Sequence, residues 1–216
     1  MKSDYILSQL SLAIVDDHEV VQEGLMSYML KNGVGYVETF SNGKALTDRM
    51  DVKKFDVYIV DVELPDMDAA ELIDEIRARH GEAKIVVNTM HEELLVVRRM
   101  NDKMVDGVVY KSDRMEQLLE AVATVAAGGK YYSGRFRKMT NSLNVQNVIL
   151  SSREVEVLKA IAAGLSTKDI ARQLFISENT VETHRQNLFS KLKAHNMANL
   201  IVRAIACGYL NPNEVN

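Results

Sequence analysis

Five short runs rich in Val, Ile and other apolar residues recur along the first half of the chain, at residues 12–15, 36–40, 57–60, 84–87 and 107–110. Near-continuous apolar runs of this length suit strands buried on both faces, as in a parallel sheet. The segments between them carry a helical period. Leu72, Ile73 and Ile76 form one apolar stripe, and Leu118, Leu119, Val122 and Val125 another. Regular alternation of strand and helix predicts an α/β unit with a doubly wound, five-stranded parallel sheet, whose chemistry collects at the carboxyl ends of the strands.

The pattern breaks at Gly128-Gly129. Residues 128–148 are rich in Ser, Asn, Arg and Lys with few periodic apolar positions, and read as a linker. From residue 150 to 210 the sequence is helical throughout. Ser151 and Glu154 form an S-x-x-E capping box, Ser166 and Asp169 a second, and Ser177 caps a third helix with Glu178 in its first turn. Only Phe175-Ile176-Ser177 separates the second and third helices, which makes a helix-turn-helix. The expected organisation is an α/β domain over 1–127, a linker over 128–148 and an all-α, four-helix domain over 149–216.

The net charge of −4 hides an asymmetry. Residues 1–128 hold 14 Lys and Arg against 24 Asp and Glu, a charge of −10, and residues 129–216 hold 12 against 6, a charge of +6. A basic second half attracts phosphate and an acidic first half repels it. Cys207 is the single cysteine, so no intrachain disulfide forms. With no run of ~18 apolar residues and no secretory signal, a cytoplasmic protein without membrane contact is expected.

The predicted strand ends carry a coherent set of groups. Asp16-Asp17 follows the first, Asp61 the third, Thr89 the fourth and Lys111 the fifth. Three carboxylates in close quarters repel unless a cation sits among them, and oxygen-only ligands suit magnesium. A carboxylate is a competent nucleophile for phosphoryl transfer, which needs mainly positioning and charge neutralisation.

The motifs Ile14-Val15-Asp16-Asp17-His18, Val60-Asp61-Val62-Glu63-Leu64-Pro65, Asn88-Thr89-Met90 and Tyr110-Lys111 give residues 12–127 a resemblance to the receiver domain of response regulators, a flavodoxin-like fold. The resemblance implies that Asp61 accepts a phosphoryl group from a sensor histidine kinase. It implies that Mg2+ is held by Asp16, Asp17, Asp61 and the Glu63 carbonyl, with Thr89 and Lys111 binding the phosphoryl oxygens. Four positions depart from the family pattern: Leu64 replaces Met, Asp68-Ala69 replaces Asp-Gly, Asn88 replaces an apolar residue, and Val108 stands where many members carry a switch aromatic.

On the third C-terminal helix, Val181, Leu188 and Leu192 share one arc, and Asn179, Thr183, Gln186 and Ser190 the opposite one, with Glu182 at its edge. As the second helix of a helix-turn-helix it reads as a major-groove helix. Gln186 suits adenine, the Thr183 methyl suits thymine and Glu182 can accept from cytosine. Lys168, Arg185, Lys191 and Lys193 suit phosphates.

Leu150-Ser151-Ser152-Arg153-Glu154, Gly164-Leu165-Ser166, Ile176-Ser177 and Thr180-Val181-Glu182-Thr183-His184 make residues 150–210 similar to the DNA-binding domain of LuxR/NarL-type regulators. Many members carry Lys where Glu182 stands. The resemblance implies a double-stranded DNA partner, contacts from Thr180 among others, and RNA polymerase as a further partner. It also implies a homodimer on phosphorylation, through the stripe Met197, Leu200, Ile201, Ala204 and Ile205 of the last helix. Two other readings compete. One is a regulator that binds DNA without phosphorylation, for which Val108 is the clue. The other is a magnesium-dependent aspartyl-phosphate phosphatase, against which stand Glu63 and the whole C-terminal half.

Overall fold

A computed structural model describes residues 7–146 and 148–211; Asn147, inside the span read as linker, and both chain ends of the expected domains lie outside the described residues. The chain divides into two compact units, residues 1–92 with 99–137, and residues 138–216 with 93–98.

The first unit is built on a parallel sheet of β1 (Ser11–Val15), β2 (Tyr36–Phe40), β3 (Val57–Val60), β4 (Lys84–Thr89), β5 (Gly107–Tyr110) and β6 (Tyr131–Tyr132), in the order β2-β1-β3-β4-β5-β6. Helices α1 (Glu19–Lys31), α2 (Gly43–Met50), α3 (Ala69–Arg79), α4 (Leu94–Asp102) and α5 (Met115–Ala126) alternate with the strands along the chain, and the residues of α4 are divided between the two units. All four residues of β3 and of β5 are buried, as are the last four of β1, which is why these segments read as unbroken apolar runs. One side of the sheet packs Leu12, Ile14, Val57, Ile59, Val86 and Val109 against Leu25 and Met29 of α1 and Leu118, Val122 and Val125 of α5.

The sheet has one strand more than the sequence predicts. Residues 128–148, read as an irregular linker, contain β6 and a helix, α6 (Gly134–Gln146). A two-residue strand is too short to show any periodicity. Its place is prepared by Gly107: a Cβ there would meet the Tyr131 carbonyl and a Val86 methyl, each at 3.2 Å. Tyr132 donates its hydroxyl to the Val105 carbonyl at 2.7 Å, and its ring stacks on the buried Phe136.

At the amino end of β3 a hydrogen-bond chain ties three elements together. The Phe55 N–H donates to the Tyr58 hydroxyl (3.2 Å), and Tyr58 lies 2.6 Å from His80 Nδ1 at the end of α3. His80 also bonds the Met50 backbone. Burial is the main effect holding the His80 pKa below its ordinary value, with the charges of Lys54 and Arg79 adding to it.

Among the described residues, strand β2 pairs only with β1. On it, Glu38 is bound by Arg49 Nε at 2.7 Å and accepts the Tyr36 hydroxyl at 2.8 Å, while Lys53 lies 3.1 Å above the Tyr36 ring.

The second unit holds α7 (Ser152–Ala162), α8 (Thr167–Gln173), α9 (Glu178–Lys191) and α10 (Met197–Ala206). Its core joins Val157, Leu158 and Ile161 of α7, Ile170 of α8, Val181 and Leu188 of α9, and Leu200 and Ala204 of α10. Ser151, Ser166 and Ser177 accept from the backbone three residues on, as expected, and Asn196 does the same for α10. The Ser151–Glu154 capping box is complete, whereas the Asp169 carboxylate takes the Ser166 hydroxyl instead of the Ser166 backbone N–H. The turn between α8 and α9 passes through Phe175 at φ 54, a left-handed conformation usually given to Gly or Asn. No helix among the described residues is long and apolar enough to cross a membrane.

Candidate functional site

The carboxyl ends of β1, β3 and β5 bring three side chains into contact. Lys111 Nζ lies 2.6 Å from Asp16 Oδ2 and 2.6 Å from Asp61 Oδ2. Asp16 is 2% exposed and Asp61 5%, so two carboxylates are removed from bulk water with one ammonium between them. The sheet imposes this meeting: Asp61 donates its N–H to the Val15 carbonyl, and Lys111 donates its N–H to the Thr89 carbonyl at 2.8 Å. The second oxygen of Asp61 accepts the Val62 N–H at 2.6 Å. Gln22 of α1 holds the Asp16 carbonyl at 2.5 Å.

Burial drives the Asp61 pKa above the ordinary carboxylate value; the Lys111 hydrogen bond and charge oppose this only in part, and Asp16 adds to it. For Lys111, burial works against the charge, but hydrogen bonds and attraction from Asp16 and Asp61 outweigh it and raise its pKa. The ammonium stays charged and offsets one of the two carboxylate charges.

The remaining pocket residues sit around this centre. Thr89, 1% exposed, ends β4, two residues beyond the predicted end of that strand; its Oγ1 accepts the His91 N–H at 3.1 Å. Asp17 is exposed, with His18 Nδ1 2.6 Å away. Asp16, Asp17 and His18 bring a donor atom each to within 4.8 Å of one another, a group able to hold a metal ion. Asp61 and Glu63 lie outside that group; the Glu63 side chain is 70% exposed and meets His91 Nε2 at 2.8 Å. Oxygen donors from Asp16 and Asp17 fit a hard, water-keeping ion such as magnesium. His18 ends one of the quoted motifs, but an Asp-Asp-His run gives no sign of where the imidazole turns.

Asn88 is buried and donates to the Val109 carbonyl at 3.2 Å. This bond satisfies one of the two amide hydrogens and helps a polar side chain to be tolerated inside the sheet. Val108 is 1% exposed and ladder-paired with Tyr132, so no aromatic ring turns inward from this position.

In the second unit the sequence-predicted faces of α9 are observed. Val181 and Leu188 are buried, and Asn179, Thr180, Glu182, Thr183 and Gln186 are exposed. Thr183 donates its hydroxyl to the Asn179 carbonyl at 3.0 Å. Lys168 is exposed at the start of α8.

Three expectations change. Lys191 Nζ, read as a phosphate contact, lies 2.6 Å from the buried Glu154. Burial opposes the Glu154 charge, yet Lys191 and the Ser151 backbone and hydroxyl hold its carboxyl below the ordinary range. Arg185, also read as a phosphate contact, donates to Thr167 Oγ1 at 3.0 Å, and the same hydroxyl lies 2.8 Å from Glu182 Oε1. Leu200 and Ala204, read as dimer contacts, are fully buried in their own domain's core. An amphipathic stripe on a terminal helix has the same period whether it faces its own domain or a partner. Met197, Ile201 and Ile205 are half-buried at the margin of that core.

Residues 12–123 match the response regulator receiver domain family, and residues 148–204 match the luxR family of bacterial regulatory proteins. Among curated proteins the chain is similar to the nitrate/nitrite response regulator protein NarP of Escherichia coli, 32% identical over 186 residues covering 83% of this chain and 86% of NarP. It is also similar to the DNA-binding transcriptional activator EvgA of Escherichia coli, 24% identical over 190 residues, or 87% of this chain and 93% of EvgA. In fold it resembles RcsB of Salmonella enterica serovar Typhimurium, solved bound to promoter DNA, with a TM-score of 0.66 at 24% identity over 91% of this chain and 98% of that one. With a receiver match over half its length and a relative above 30% identity along most of it, the chain belongs to the response regulators that join a receiver domain to a LuxR-family DNA-binding domain.

Proposed function

We propose that Asp61 is the phosphoryl acceptor of this response regulator, and that its phosphorylation controls binding of α9 to double-stranded DNA by a homodimer. The observation that carries this reading is the Lys111 ammonium at 2.6 Å from both Asp16 and Asp61 at the mouths of three strands. An oxygen of Asp61 forms the new bond to phosphorus as the bond to the donor, a histidine phosphate of a sensor kinase, breaks. Lys111 offsets the charge that gathers on the phosphoryl oxygens, and Thr89 offers its hydroxyl hydrogen to one of them. Asp16, Asp17 and Asp61 are the side chains that would hold Mg2+, which supplies charge neutralisation when bound.

On DNA, Asn179, Thr180, Glu182, Thr183 and Gln186 face the bases, and Lys168 faces phosphate. EvgA is named as a DNA-binding activator and RcsB is solved on promoter DNA, which supports the same role here. RNA polymerase is the further partner of a regulator acting at promoters. A chain with this organisation works in the cytoplasm, where its kinase partner and DNA both lie.

Incubation with acetyl phosphate and Mg2+ tests the reading. The parent protein acquires one labile phosphoryl group and Asp61→Asn acquires none; labelling of the mutant at the parent's level refutes the assignment. A second reading, DNA binding independent of phosphorylation, is favoured by the buried Val108. It requires the unphosphorylated chain to bind an operator of two half-sites as tightly as the phosphorylated one.

A further inference from the structure

Glu182, at the edge of the polar arc of α9, is an unusual residue for a DNA-facing surface. It is half exposed on α9, among residues that approach a polyanion, where a carboxylate is repelled by phosphate. The structure gives it two companions. Thr167, the first residue of α8, holds Glu182 Oε1 at 2.8 Å, and Arg185 Nη1 lies 3.0 Å from the Thr167 hydroxyl and 3.5 Å from Glu182 Oε1. A guanidinium only donates, so Thr167 Oγ1 accepts from Arg185 and its single hydrogen goes to Glu182. The relay runs one way, from Arg185 through Thr167 to Glu182, and joins the two helices of the helix-turn-helix.

We propose that Thr167 and Arg185 are positioning residues that hold Glu182 as an acceptor for the cytosine amino group in the major groove. The proposal rests on the reading of α9 as the DNA-contacting helix. One carboxylate oxygen is engaged by Thr167, which fixes the side chain before DNA arrives and removes the cost of ordering it on binding. A carboxylate has no hydrogen to give, so it matches only groove edges that donate. Those are the cytosine N4 and adenine N6 amino groups, and adenine sets its N7 acceptor beside N6, where a second carboxylate oxygen is repelled. Guanine O6 and N7 and thymine O4 are acceptors and are rejected outright. Arg185 is thereby drawn from the phosphates into the domain, and its charge offsets the repulsion between Glu182 and the DNA backbone.

A purely structural role for the relay, fastening α8 to α9, makes a different prediction. It lowers affinity for every sequence alike and leaves base preference untouched. The full-length protein, treated with acetyl phosphate and Mg2+, is therefore challenged with a duplex library randomised across two half-sites, and bound DNA is sequenced for the parent, Glu182→Gln, Thr167→Val and Thr167→Ser. The parent enriches a motif with a cytosine-preferring position in each half-site. Glu182→Gln, which adds donors at an exposed position, weakens that preference roughly tenfold, the scale of one well-placed base contact. Thr167→Val, isosteric but without a hydroxyl, weakens it by a smaller factor, and Thr167→Ser restores it. Unchanged cytosine preference in Glu182→Gln overturns the assignment of Glu182. A uniform loss of affinity in Thr167→Val with its base preference intact overturns the positioning role. If the parent enriches no motif at all, the DNA-binding reading fails, and this inference falls with it.

Discussion

The two candidate sites are built on opposite principles. The pocket of the first unit is made of residues almost wholly withdrawn from water, and its three central groups satisfy one another at 2.6 Å. The surface of α9 proposed to meet DNA is made of exposed residues. Where function is buried, it is entangled with stability, because removing one partner strands the others in a low-dielectric setting. Where function is on the surface, the scaffold behind it carries the stability and the face can change freely.

The largest test of that contrast is Lys111→Ala. It leaves Asp16 and Asp61 facing each other without a counter-charge and is expected to cost about 3 kcal/mol of receiver stability, the scale for breaking a buried pair. Urea unfolding should show the loss shrinking when Mg2+ is added, since a bound cation replaces the ammonium. A loss independent of Mg2+ would break the link between pocket and metal. Next in size is Glu154→Ala in the second unit, where a buried group behind α9 carries a capping box and the Lys191 pair. About 1–2 kcal/mol should be lost from the helical domain, read as a lowered thermal midpoint.

Acidification should separate the two units by window. His80 is held neutral, with its folded pKa below the ordinary 6.5, so the unfolded chain binds the extra proton first and receiver stability falls as pH drops below about 6.5. Glu154 has its folded pKa below 4.5, so its contribution is complete above that value and is lost as pH falls beneath it. Hydrogen exchange at pH 7, 5.5 and 4 should show protection weakening around Tyr58 before it weakens around Glu154; the reverse order would refute both assignments. At the small end, Phe175→Gly relieves a left-handed backbone at the cost of a side chain that is 95% exposed. A gain of roughly 0.5 kcal/mol is expected, since relief exceeds the added freedom of the unfolded chain. Gln186→Ala should shift stability by no more than about 0.5 kcal/mol while changing DNA selection, the reverse of Lys111→Ala.

The same contrast governs what the sequence reveals. Strands β1, β3 and β5 were legible because burial on both faces forces continuous apolar runs, and Asp61, Thr89 and Lys111 could be placed because a parallel sheet brings strand ends together. Strand β6 left no trace, since two tyrosines have no period and the signal for their docking is a missing side chain at Gly107. On the helical side, caps and buried arcs were readable from spacing. The destination of long charged side chains was not: Lys191 and Arg185 reach as easily inward to Glu154 and Thr167 as outward to phosphate, and sequence spacing within α9 does not report partners on α7 and α8. Leu200 and Ala204 show the same limit for apolar residues, whose period names a buried face without naming what buries it.

The edges of the receiver sheet carry a consequence for how copies of this chain meet. A free strand edge invites another chain to continue the ladder, the route by which sheets aggregate. Here one outermost strand, β2, bears Glu38 with Arg49, and Lys53 over Tyr36, a charged fringe that an incoming strand would have to strip of its partners. The other, β6, is two residues long and offers too short a template to extend. Among the described residues, neither border offers a long, uncharged template. Open-ended extension of the receiver sheet from copy to copy is thereby disfavoured.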